Sequence, residues 1–474
     1  MNVFSSLWRW LKNMLFIRNA DIGKDFGVKL IRSDDMDAAL EKWDNISRGR
    51  PPWLNGDDDI VTVNMAKHIA DTRARLVTLD IGLSVSGEDG SETPSPRIQL
   101  LQEIADDLIK RLPEKITGAE RMGGVMFKWN GETWDYILPG NFGVTETDGN
   151  GDIKGAIFAA YAEQGDERFV RLEYHRFVGS HYVITNKAYR NQIVGRNSTL
   201  GAKVPLKLIK AWSNLQDEVF IENLDAPLFA YYRVPGANTI DPSSPLGLSV
   251  FANAIEELKA IDVAFSRKGA EIEDSKHITF VGQTAFQYAE QRGVKLPRFM
   301  KALGVGVSEL EKSAVHEHVP TLLTEDRIRD INFDLSMAGV KCGFSEGVFV
   351  LDGQTGMITA TQVEADDRDT IQTIKADRDA LKVAVERAMK GADAMVSLYG
   401  LAPFDRYRLD FNFGDITYNY EEDKANWKSY VTQGWVPAWR YFVKFEGMSE
   451  EDAKAMCAEA DAANKEPELF GGMK

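Results

Sequence analysis

Three side chains in the stretch RLEYHRFVGSHYVI belong to the types that perform acid–base or metal chemistry. Glu173 and His175 alternate onto one face of an extended segment, and a hairpin through Val178, Gly179 and Ser180 would carry His181 to a diagonal position on that face. A carboxylate and two imidazoles so placed would suit a metal-assisted hydrolase. The other reading is the solvated face of a two-faced sheet, because spacing supplies no further ligand or nucleophile. In TDGNGD, Asp148, Asn150 and Asp152 alternate as calcium-loop ligands do, but Ile153 stands where that loop needs Gly and Ala159 where it needs a bidentate Glu. A hairpin turn is expected there. His316 and His318 bracket Glu317 in an irregular stretch that reads as an exposed loop. Arg292, Lys295, Arg298 and Lys301 make the same stretch locally basic, yet Glu290, Glu309, Glu311 and Glu317 nearly cancel them, so a solvated surface competes with a nucleic-acid contact.

The chain has no GxxxxGK[ST], GxSxG, HExxH or CxxC pattern, which counts against an enzyme; no catalytic residue, metal or cofactor is expected. Cys342 and Cys457 are too few and too far apart for a disulfide framework and read as packed thiols in a reducing setting. With 474 residues, 44% hydrophobic and 27% charged, the chain suits a globular protein with more than one core. Its net charge of −16 is the wrong sign for gripping nucleic acid, so any contact with DNA must be local, weak or repulsive.

The elements that must position these groups follow from periodicity. VFSSLWRWLKNMLFI is interrupted by Arg9 and Lys12 and is neither a signal nor a transmembrane span; Phe4, Leu7, Trp8, Leu11, Met14 and Leu15 make it a short amphipathic helix for a membrane surface or a partner chain, and its few Lys and Arg favour docking on protein. Helices are predicted over LIRSDDMDAALEKWDNIS and NMAKHIADTRARLVTL. A Gly/Ser/Pro linker, SVSGEDGSETPSPR, then leads to a helix over IQLLQEIADDLIKRL with an apolar stripe from Ile98 to Leu112. From Gly123 to about Arg190, short strands separated by Asn130-Gly131, DGNGD, QGD and VGS predict an antiparallel meander, with positive φ at both residues of the Asn-Gly turn.

Ser244-Pro245 predicts a helix start, continued by Phe251, Ala254, Ile255, Leu258, Ile261 and Phe265. After an irregular insert, Thr324 opens a second helix with Ile328, Ile331, Leu335 and Ala338 on a narrow stripe. A Gly-rich loop, CGFSEGVFVLDGQTG, separates it from a long helix entered through overlapping capping boxes, Thr359 with Gln362 and Thr361 with Glu364. At 1.5 Å per residue that helix spans roughly 60 Å if it runs to Tyr399. Its first half, carrying Asp366, Arg368, Asp369, Lys375, Asp377 and Arg378, is too polar to dock on a core. Such a helix must bridge domains or find partners outside its own fold. Past Asp415 the chain is helical and acidic, with a last helix opening at Ser449.

That order, with the segments SPLGLSVFANAIEELKAID, GMITATQVEA and LEYHRF…HYVITNKAY, resembles the portal proteins of tailed phages with long non-contractile tails. The resemblance covers roughly Ala38 to Glu459. It implies an α+β portal fold and a dodecameric ring at one capsid vertex, through which double-stranded DNA enters and leaves without sequence readout. It divides the chain into an N-terminal arm (1–37), a wing (38–243), a first stem helix (244–276), a clip (277–323), a second stem helix (324–342), a tunnel loop (343–358), a long wing helix (359–400), a wing return (401–414) and a crown (415–474). The clip and crown are smaller than in the family. The implied partners are further copies of the chain, the terminase large subunit, the major capsid and scaffolding proteins and a head–tail adaptor, with no membrane. The implied location is the virion, and the host cytoplasm during assembly.

On this reading Gly347, Phe349, Val350, Leu351, Asp352 and Gln354 face the channel or pack between neighbouring loops. Arg292, Lys295, Arg298 and Lys301 dock the packaging motor, and the charges from Asp366 to Arg378 pair across subunits. Twelve copies at −16 would sum to about −190, which suits a conduit through which DNA slides. The alternatives are an adaptor or minor head protein without a channel, and the hydrolase built on Glu173, His175 and His181.

Overall fold

The structure is a computed structural model. It describes residues 23, 25–54, 60–88, 94–194, 197–274, 278–282, 291–292, 300–303, 315–318, 324–351, 368–414, 420–433, 435–446 and 448–464. The chain divides into two compact units, Met1–Gly414 and Asp415–Lys474. The first is mixed α/β, and the predicted amphipathic helix near its start lies outside the described residues.

Three helices open the first unit. α1 (Asp34–Ser47) is capped by Ser33, whose side chain accepts from the Met36 amide, and three acidic residues in its first turn complement the helix dipole. α2 (Met65–Val77) buries Ala66, Ile69, Ala70, Arg73, Ala74 and Val77 on one face. Between α2 and the third helix, the stretch expected as linker begins instead as strand β1 (Gly82–Gly87), paired antiparallel with Tyr407–Asn412. α3 (Pro96–Met122) runs ten residues beyond the predicted stripe. Pro113 removes one helical bond, but Ile116, Ala119 and Met122 continue the buried face and carry the helix on to Gly123, which ends it at φ 83°.

The predicted meander is split between two sheets. β2 (Gly124–Trp129) and β3 (Trp134–Ile137) form one sheet, completed by a later strand. Trp129 pairs with Trp134, so their turn is residues 130–133 rather than a two-residue hairpin. Only Gly131 of the Asn-Gly pair has positive φ, because the Asn130 carboxamide accepts from the amides of Glu132 and Thr133 and sets the turn itself. β4 (Phe142–Thr147), β5 (Ile153–Gln164), β6 (Glu167–Val178), β7 (His181–Val194) and β8 (Asn197–Val204) follow one another in an antiparallel sheet, whose sixth strand, β9 (Glu218–Glu222), pairs with the start of β7. β10 (Ala230–Arg233) then returns to the edge of β2.

No helix starts at Ser244-Pro245, which corrects the sequence expectation. The segment stays extended because it is strapped across the end of α3: Val250 donates to the Glu120 carbonyl at 2.9 Å, and a Cβ on Gly247 would lie 2.2 Å from the Gly123 oxygen. α4 (Ile255–Asp274) begins only after a turn of 3-10 helix at Ala252–Ala254. The insert is not wholly irregular. β11 (Ile278–Gly282) pairs parallel with β12 (Met300–Leu303) and antiparallel with β13 (Val315–His318), so His316, Glu317 and His318 lie in a strand rather than a loop. α5 (Thr324–Lys341) follows, and α6 (Arg368–Leu398) is the described part of the long helix. Thr359, Thr361, Gln362 and Glu364 lie outside the described residues. The second unit contains α7 (Tyr420–Thr432), α8 (Ala438–Glu446) and α9 (Glu450–Asn464); the Ser449 hydroxyl accepts from the Asp452 amide at the start of α9.

Candidate functional site

The helix pair α4/α5 and the loop leaving it form the candidate site, and a buried ion cluster fixes their base. Lys341 at the end of α5 pairs with Glu257 near the start of α4, so the helices run antiparallel. Their shared seam holds Leu258, Ile261, Ile331, Leu335 and Ala338. Asp262 accepts from the Trp53 indole and the Val63 amide, both at 2.9 Å, which anchors α4 to the segment before α2. The outer side of α5 is unlike the seam: Phe333 is 66%, Met337 36% and Val340 47% exposed. Their i, i+4, i+7 spacing makes one apolar helical face open to solvent.

Beneath the pair, Arg73 grips Asp377 with Nε and an η nitrogen at 2.7 and 2.8 Å, and its other η nitrogen donates to the Cys342 carbonyl at 3.0 Å. Glu120 lies 3.4 Å from Nε and accepts a 3.0 Å bond from the Tyr232 hydroxyl. One guanidinium therefore joins α2, α3, α6, β10 and the end of α5. Burial, then the Asp377 charge, raises the Glu120 carboxyl to about 8. Asp377 holds both short guanidinium bonds while Glu120 Oε2 has no hydrogen-bond partner among the described residues, so the proton resides on Glu120. Burial likewise pushes the Cys342 thiol up to about 12, an inert packed sulfur.

The loop after α5 is anchored rather than free in its described part. Gly343, at φ 81°, closes the helix, and Phe344 returns an amide bond to the Gly339 carbonyl. Ser345 and Thr370 exchange bonds, each hydroxyl accepting the other's amide, which ties the loop to the first turn of α6. Phe349 corrects the channel-facing expectation: it is buried, with its ring 4.9 Å from Phe344 and 5.6 Å from His68. Val350 is half-buried, while Gly347 and Leu351 are exposed. Asp352 and Gln354 lie outside the described residues.

The long helix is not polar all round. Asp377 is fully buried on Arg73, and Arg378 donates to the carbonyls of Leu76, Val77 and Gly414, so these two serve the chain's own fold and leave the inter-subunit set. Arg368, Asp369 and Lys375 are exposed, and Asp366 lies outside the described residues. Toward its end α6 is held by Arg97, itself buried, which bonds Asp393, Ser397 and the Ala402 carbonyl. In the insert, Arg292 is exposed at a turn and Lys301 lies in β12, whereas Lys295 and Arg298 fall outside the described residues.

The sheet separates the three acid–base candidates. Glu173 and His175 do share a face, but that face is buried, not solvated. Glu173 accepts from Lys128 at 2.9 Å, Arg171 at 2.7 Å and His175 Nε2 at 2.6 Å. His181 pairs with Val178 across the hairpin, which turns it to the other face, where it meets Glu222. Burial favours the neutral imidazole, and its Nε2 faces the Glu173 carboxylate, which can only accept, so the proton sits on Nε2; the Tyr182 hydroxyl, which accepts the Leu228 amide, then donates to Nδ1. Burial lowers His175, and the surrounding cations, Lys128 foremost, hold Glu173 well below the carboxylate range despite its desolvation. The Asp148 carboxylate is filled by the amides of Asn150 and Asp152 as a hairpin turn. Among the described residues no group of three His, Cys, Asp or Glu is placed to hold a metal, and no helix is long and apolar enough to cross a membrane. No family model and no curated protein matches this chain.

Proposed function

We propose that this chain is the subunit of a phage portal, an oligomeric ring that passes double-stranded DNA during packaging and ejection. The observation that carries this reading is the antiparallel pair α4/α5, interrupted by a small strand-bearing insert, with an open apolar face of Phe333, Met337 and Val340. A single chain leaves that face in water; neighbouring stem helices in a ring would cover it. In this arrangement the first unit up to Gly414 is the wing with its stem, the insert is the clip that meets the terminase large subunit and later the head–tail adaptor, and the second unit is the crown. Capsid and scaffolding proteins would surround the ring at its vertex. Arg368, Asp369 and Lys375 remain available for pairing across subunits.

Negative-stain microscopy of the purified full-length protein tests the proposal. Rings with a central hole are expected, and Phe333→Asp with Met337→Asp should reduce them to small species. Protein that is monomeric at every concentration and salt tested would overturn it. An adaptor without a channel would give no such rings, and a hydrolase would show chelator-sensitive turnover as a small oligomer.

A further inference from the structure

A cavity of about 310 Å³ lies where the β4–β5 turn, the segment entering β10 and the outer face of α6 meet. Its wall carries Lys154, Arg233, Arg387 and Lys390 against a single carboxylate, Asp152. In a chain of net charge −16 that is a local reversal of sign. The cations differ in how far they are already committed. Arg387 holds Asp152 with both terminal nitrogens, at 2.6 and 2.7 Å, and Lys154 sits 3.5 Å from Asp148. Lys390 is exposed, borders a neighbouring cavity that holds Glu386 and Asp393, and forms no ion pair among the described residues. Arg233 donates to the Gly236 carbonyl at 3.1 Å through one terminal nitrogen, and its other terminal nitrogen forms no hydrogen bond among the described residues.

We propose that this cavity binds a small phosphorylated molecule, with phosphoryl oxygens on the second terminal nitrogen of Arg233 and the Lys390 ammonium, and Lys154 completing the charge. The cations come from three different elements, β5, β10 and α6, which suits a tetrahedral group offering three acceptor oxygens better than a planar carboxylate offering two. Much of the remaining wall is apolar, with Pro227, Tyr231 and Pro245, and would take the organic part of the ligand. The volume sits at the small end of the range of about 300–1,000 Å³ for small-molecule sites, which favours such a ligand over a duplex backbone. The inference does not depend on ring formation.

Titration calorimetry of the full-length protein with pyrophosphate and with adenosine diphosphate, free of divalent metal, tests it, using succinate and a short duplex as comparators. Saturable binding of both phosphate probes is expected. It should weaken roughly tenfold or more in Lys390→Glu, a surface change, and in Arg233→Gln, as the loss of one charge-assisted bond implies. Circular dichroism of Lys390→Glu should match the parent. Silence of both phosphate probes at millimolar concentration, unchanged affinity in Lys390→Glu, equal binding of succinate, or binding of the duplex alone would each overturn the proposal.

Discussion

The two buried ion clusters of the first unit are built in opposite senses. Among the helices, two carboxylates, Asp377 and Glu120, surround one guanidinium; in the sheet, two cations and an imidazole surround one carboxylate, Glu173. Neither set of formal charges sums to zero, and a bare surplus charge away from water is too costly to keep. Each cluster limits its surplus with a proton. The helical one keeps a proton on Glu120, which brings its sum to zero; the sheet one keeps a proton off His175, and the remaining positive charge faces Asp135, 3.9 Å from the Lys128 ammonium. The difference teaches that the same physical demand sets opposite pH responses in two parts of one core.

The largest effect should come from Arg73→Met. It leaves Asp377 and Glu120 facing each other and releases the Cys342 carbonyl, so a loss of about 3–5 kcal/mol is expected in urea unfolding followed by tryptophan fluorescence. Adding Asp377→Leu should recover more than half of it. A loss below about 1 kcal/mol would show that water already reaches the cluster, and would break the comparison at its stronger end.

Glu173→Gln should cost less, about 2–3 kcal/mol. The carboxamide still accepts from His175 Nε2, and Arg171, whose side chain is 13% exposed, can turn toward solvent. Lys128 cannot do so as readily, at 9%. Lys128→Met in the Glu173→Gln background should therefore restore part of the loss, whereas Arg171→Met should restore little. The reverse order would mean that Arg171, not Lys128, is the cation that Glu173 chiefly compensates.

Sequence patterning made the elements legible but not the partners. Strand alternation put Glu173 and His175 on one face correctly, yet which face is buried depends on Lys128, which lies 45 residues earlier in a different sheet. His181 was misplaced because a hairpin of known turn length fixes the parity of every residue beyond it, and that length was not readable from Val178-Gly179-Ser180. In the long helix, composition suggested a polar surface all round. A signal was nonetheless present: Asp377 falls on the stripe of Ile374, Leu381, Ala384 and Val385, and Arg73 on that of Ile69, Ala70, Ala74 and Val77. A charge standing on an apolar stripe calls for a buried opposite charge, but the two lie 304 residues apart and local spacing cannot join them. The strap after Ser244 failed for a related reason, since a cap-like dipeptide was overruled by tertiary hydrogen bonds to Glu120 and by the close approach of Gly247 to Gly123.

The smallest expected effects are the most discriminating, because they carry a sign. Glu120 has a folded value raised above its ordinary 4.5, to about 8, by burial and then by Asp377. Its contribution is complete below 4.5 and is lost as pH rises through about 8. His175 is shifted the other way, lowered from its ordinary 6.5 by burial, which the Glu173 hydrogen bond and charge only partly offset, with Lys128 and Arg171 adding smaller repulsions. Its contribution is complete above 6.5 and is lost as pH falls toward the lowered value; Glu173, itself held low, extends the same loss further into acid. One proton gives a slope of at most about 1.4 kcal/mol per pH unit. The two windows overlap below 6.5, where the losses have opposite sign, so denaturation of the parent should show stability nearly level there and falling from about pH 6.5 to 8. Glu120→Gln keeps the acceptor for Tyr232 and should remove that fall and uncover a loss as pH drops below 6.5. His175→Gln keeps a donor for Glu173 and an acceptor for Tyr182; it should leave the fall above 6.5 in place and extend it down toward about pH 5. If Glu120→Gln left the fall above 6.5 unchanged, or His175→Gln removed it, the proton assignments at Glu120 and His175 would be wrong, and the two clusters would no longer differ in the way their charges require.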